Sequence, residues 1–200
     1  AVPLGPGDLP VVDNLLRELS IATGTPPPAA ALVADDAPNA LAVGRRPADT
    51  TIVVTSGLIE KLSRDELEAV LAAEMWAIRR YDTAMQTVTL GLTAETAAIV
   101  IFPTMAVAEI LRIRLLRNAD FGADTLAVAT TRHPDALRRA IEKLRDDPAV
   151  VETLSPSTAP LWFEPIPHGG HWPTEDYENL ALTPSLDERL AHLNEQITTP

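Results

Sequence analysis

Residues 68–82 read Glu-Ala-Val-Leu-Ala-Ala-Glu-Met-Trp-Ala-Ile-Arg-Arg-Tyr-Asp, a run free of glycine and proline. Leu67, Val70, Leu71, Glu74 and Ile78 recur at three-and-four spacing and so share one face of a helix. Ser63 followed three residues later by Glu66 is a capping box, which starts that helix just upstream. Glu74 is the anomaly, because it sets a carboxyl in an otherwise apolar stripe. A buried carboxylate needs donors, so Glu74 is expected to be at least partly buried and held by backbone N–H groups or an arginine, with Arg79, Arg112, Arg114 and Arg117 as candidates.

Working outward, the chain reads as α+β. Val11, Val12, Leu15, Leu16 and Leu19 predict a helix over Pro10–Thr23, closed by Gly24 and broken by Pro26-Pro27-Pro28. Ala31–Ala34, Ala40–Val43 and Thr51–Thr55 are short branched runs between turn residues and predict about three strands. Pro134 opens an amphipathic helix to about Leu144 with His133 before it, and Ser185–Glu195, which includes His192, forms a last short one. Residues 146–184 hold most of the later prolines and read as loop, within one domain spanning 1–200. Ala84–Ala108 carries Glu95 as its only charge, yet its threonines, Gln86 and Pro103 suit two buried helices better than one bilayer span.

Composition narrows the functional classes. A hydrophobic content of 46% is ample for one core in 200 residues. A formal charge of -12 argues against nucleic acid or an anionic membrane surface as main partner, since both need a basic patch. With no cysteine, disulfides, thiolate ligands and cysteine nucleophiles are excluded. The chain opens at Ala1 without a basic-then-apolar leader, so it is expected to be part of something longer.

Set against the H-E-x-x-H helix of zinc peptidases, the run at 73–77 keeps the glutamate as Glu74 and has Ala73 and Ala77 at the histidine positions. Four further segments follow in order: Asn39-Ala40-Leu41-Ala42-Val43-Gly44, Thr50 to Leu58, Asp120-Phe121-Gly122-Ala123-Asp124, and Pro184-Ser185-Leu186-Asp187-Glu188-Arg189-Leu190. Together they resemble the HtpX-like membrane zinc metallopeptidases, relatives of the CAAX prenyl endopeptidases, over most of the chain. The resemblance implies a zincin-like fold, mostly helical with a small sheet. In active members it also implies zinc held by two histidines and an acid, with the helix glutamate as general base. It places the third ligand at Asp120, a peptide-pairing edge strand over Asn39, Ala40, Leu41 and Ala42, and supporting roles at Asp124 and Arg117. Membrane attachment with a cytoplasmic-side domain is a further implication.

The departures fall on the chemistry. Ala73 and Ala77 have no lone pair to offer zinc, Asp120 stands where the family has glutamate, Trp76 replaces a small residue, and Thr183 replaces a histidine. The chain therefore reads as a naturally degenerate domain, with Glu74 a vestigial base and no cofactor expected. Three classes compete: a pseudopeptidase that binds a protein or peptide, a metalloenzyme rebuilt from Glu74, Asp120, His168 and His171, and a structural membrane-associated subunit whose groove Trp76 closes. Bland readings stand beside these. Asp120 and Asp124 one turn apart suit an arginine-paired face, and Trp76, Trp162 and Trp172 suit packing.

Overall fold

The computed structural model describes residues 2, 3, 5, 7–84, 87, 119–152, 161–164 and 184–198. Residues 85–108 (Thr87 apart), Arg112, Arg114, Arg117, His168, His171, Trp172 and Thr183 lie outside them, so the expectations placed there are not addressed further.

Helix α1 (Pro10–Thr23) begins with proline at its first position and ends at Gly24, whose φ of 66° is left-handed and whose N–H bonds the Ser20 carbonyl. The Arg79 guanidinium reaches the Thr23 carbonyl at this end, closing off an orphan acceptor. Strands β1 (Val2–Pro3), β2 (Ala29–Val33), β3 (Ala40–Val43) and β4 (Thr51–Thr55) form a mixed sheet in the order β1-β2-β4-β3. β2 runs parallel to β4, while β1 and β3 are antiparallel to their neighbours. The sheet thus has four strands where three were expected. β1 is two residues long, too short to show any periodicity. β2 starts two residues earlier than expected, since Ala29 already pairs with Thr51 directly after the proline run.

Thr55 caps α2 (Ser56–Lys61), accepting from the Leu58 N–H. The sequence reading missed this short helix. Gly57 permits it to lie under the preceding loop, because a Cβ there would run into the Asp36 carbonyl. Helix α3 (Arg64–Arg79) starts at the predicted capping box, with both reciprocal bonds formed. A helical stretch at 119–131 (α4), α5 (Pro134–Asp146) and α6 (Leu186–Thr198) complete the described elements. α3 packs on α1, α5 and β3, and α5 packs on α6. Val70, Leu71, Met75 and Ile78 of α3 join Leu15, Ile52, Leu137, Ile141 and Leu193 in one continuous core. That central position carries Ala73, Glu74 and Ala77 to the place where β3, α4 and α6 converge.

Candidate functional site

Ala73, Glu74 and Ala77 on α3, Ala42 on β3, Asp120 and Ala123 on α4, and Arg189 on α6 line one small cavity of about 30 Å3, together with Thr83 and Leu161–Phe163. The structure thus brings together Ala42 and all four positions expected for the metal site and its base. Of the arginines expected as donors to Glu74, only Arg79 lies among the described residues. The Glu74 side chain is 7% exposed, yet among the described residues no hydrogen bond or ion pair reaches its carboxyl. Arg79 is committed to the end of α1 and lies 5.5 Å from the Trp76 ring.

Arg189 dominates the electrostatics. Its Nε and Nη2 donate to Asp124 Oδ2 and Oδ1 at 2.8 and 2.6 Å, and Nη1 donates to the Phe163 carbonyl at 2.8 Å. The guanidinium carbon lies 3.9 Å from the Phe163 ring centroid. Ser185 sets this up: its hydroxyl accepts the Glu188 N–H while Glu188 accepts the Ser185 N–H, a capping box that fixes the first turn of α6. Burial opposes the Arg189 charge, but Asp124, reinforced by Asp120 and Glu74, outweighs it and raises its pKa. Asp124 is therefore an arginine-paired residue, with Arg189 as the partner. The sequence held one clue to this, since Arg189 interrupts the apolar spacing of Leu186, Leu190 and Leu193.

The remaining acids respond to burial. Glu74 is pushed up to about 8, by burial first and then by Asp120 and Asp124, with Arg189 opposing. Asp120 rises to about 7, again mainly by burial, with Asp124 and Asp82 adding and Arg189 and Arg80 opposing. Glu164 rises to about 8 through burial and Asp147, also against Arg189. Burial thus favours the protonated form of all three acids to well above the ordinary carboxylate range. The protonated form of Glu74 is a hydrogen-bond donor.

The edge expected to meet a peptide is already paired along part of its length. Phe163 N–H donates to the Ala40 carbonyl at 2.7 Å, and Leu41 bridges Trp162 in antiparallel fashion. The Asn39 side chain clamps Glu164 from both sides, donating to its carbonyl and accepting its N–H at 3.0 Å each. Leu161–Phe163 line the cavity, and Trp76, envisaged as closing it, is not among the lining residues. Trp76 instead donates from Nε1 to Thr130 Oγ1 at 2.8 Å, fastening α3 to α4. Trp162 packs with Ala37 and Val151 as a core residue. His192 stacks near Phe121, ring centroids 4.8 Å apart, and His133 precedes α5 without a side-chain cap bond.

Zinc does not fit this donor set. A catalytic zinc site takes three protein ligands, and here two of the implied positions present methyl groups. The two acids that remain, Glu74 and Asp120, lie beside a guanidinium whose charge repels a cation.

The sequence profile described as Peptidase family M48 matches residues 10–197. A protein named "Protease HtpX homolog" from Tropheryma whipplei (strain TW08/27) is 33% identical over 94% of this chain and 73% of its own length. Another of that name, from Limosilactobacillus reuteri (strain DSM 20016), is 29% identical over 94% of this chain and 74% of its own length. Among solved structures, the crystal structure of S. mikatae Ste24p gives a TM-score of 0.56 at 16% identity, covering 96% of this chain and 51% of that one. At such low identity this last likeness speaks to the fold. Among the described residues, no helix is long and apolar enough to cross a membrane.

Proposed function

The chain belongs to peptidase family M48, and we propose that within it this domain is a pseudopeptidase, keeping the peptidase fold without a competent zinc site and acting as a binding or scaffold domain. One observation carries the reading: Ala73 and Ala77 face the same cavity as Glu74 and Asp120, where ligation would require imidazoles. Proteolysis is what the relatives' names state of them.

The partner in this reading is a protein or an extended peptide, recognised by backbone pairing at a sheet edge. The candidate groove runs along Asn39–Ala42. Its pairing with Phe163 and Glu164 favours a second reading, a structural subunit whose groove is closed. Membrane association on the cytoplasmic side belongs to either reading and rests on the family resemblance alone.

Metal analysis of the purified protein, paired with hydrolysis of an unfolded protein such as casein, tests the proposal. The expected result is no stoichiometric zinc and no cleavage. One tightly held zinc ion per chain, lost on changing His168 or His171, would overturn it in favour of a rebuilt metalloenzyme.

A further inference from the structure

We propose that the cavity beside Ala73 and Ala77 is a water-binding site, in which one ordered water molecule is held by Glu74 and Asp120. This deepens the pseudopeptidase reading and concerns the same site. Glu74 is more than nine-tenths buried and lines the cavity, and no protein donor or acceptor among the described residues meets its carboxyl. Buried polar groups are satisfied by protein or by ordered water, and an unmet one is costly. Asp120 lines the same space, and likewise no hydrogen bond reaches it among the described residues.

Size and chemistry select the occupant. A volume of about 30 Å3 passes the threshold of roughly 10–15 Å3 needed for one water. Cavities that stay dry are apolar, whereas this one is walled by two carboxyls and a guanidinium. A held water needs two to four polar partners. Glu74 and Asp120 provide two. Arg189 also lines the space and has five N–H donors, three of them used on Asp124 and Phe163 among the described residues. A cation in the same place would meet the Arg189 charge.

High-resolution crystals soaked in zinc, with data collected at the zinc edge, test the assignment. The wild type is expected to show one peak per chain within hydrogen-bonding distance of Glu74 and Asp120, without anomalous signal. Glu74→Gln, whose amide both donates and accepts, should keep the peak, and Glu74→Leu should lose it. A dry wild-type cavity with Glu74 turned onto Arg189 would overturn the water site and leave the pseudopeptidase reading intact. So would a peak that persists in Glu74→Leu. An anomalous zinc peak would overturn both.

Discussion

Replacing Glu74 by glutamine is expected to stabilise the protein, increasingly so as the pH rises. The side chain is buried without a partner among the described residues, and its pKa rises from the ordinary 4.5 to about 8. A folded-state value above the unfolded one means that the carboxyl favours the fold fully below about pH 4.5. That contribution is lost as the pH climbs through 8. Each pH unit in this window removes about 1.4 kcal/mol, so wild type forfeits about 3 kcal/mol by pH 7 and about 5 kcal/mol above pH 8. Water in the cavity would reduce these figures. Glutamine fills the same space and has no proton to lose. Urea unfolding at pH 4, 7 and 9 should therefore give near-equal stabilities at pH 4 and a widening advantage for Glu74→Gln above it. Asp120 titrates in both proteins and interacts with Glu74, so the difference between them reports Glu74 together with that coupling. A variant less stable than wild type at pH 7, with the same pH slope, would refute this account. It would mean instead that charge-assisted bonds hold an ionised Glu74.

Two further substitutions probe the surroundings of the cavity. Asp124→Ala strands the buried Arg189 guanidinium, which should cost about 3–5 kcal/mol and lower the melting temperature by about 6–20 °C in a domain of this size. Combining Asp124→Leu with Arg189→Met removes both charges and should cost much less than the single changes added together. Additive losses in thermal scans would contradict the pairing. Ala73→His with Ala77→His restores two imidazoles, but must force them into about 30 Å3, so a loss of about 1–3 kcal/mol from overpacking is expected. The Asp120 stem is one methylene, about 1.5 Å, shorter than glutamate, and zinc–oxygen bonds are held near 2.0–2.2 Å. Calorimetry should accordingly find weak zinc binding, and a peptide assay no cleavage. Robust cleavage would show that the acid and groove are still set for catalysis.

Much was legible in the sequence because it depends on neighbours along the chain. Proline at the start of α1, Gly24 at its end, the Ser63–Glu66 box and the spacing of Leu67, Val70, Leu71 and Ile78 act over one or two turns, and the structure reproduces those elements. The two alanines were equally plain, since a methyl group cannot ligate metal in any fold. What lay beyond local reading was partnership across long separations. Arg189 meets Asp124 65 residues away, and Asn39 clamps Glu164 across 125. β1 escaped notice because two residues carry no period, and its partner on β2 is chosen by the sheet. The state of Glu74 is the sharpest instance. An acid on an apolar stripe announces burial, but whether a donor waits there depends on where α4, α6 and residues 161–164 come to rest. The sequence by itself determined that alanines, which have no lone pair, stand at the two positions where the H-E-x-x-H pattern has histidines. Only the tertiary structure decided that Glu74 would sit against a cavity of about 30 Å3, without a partner among the described residues and with its pKa raised, because desolvation and charge pairing depend on distances in space that no local pattern encodes.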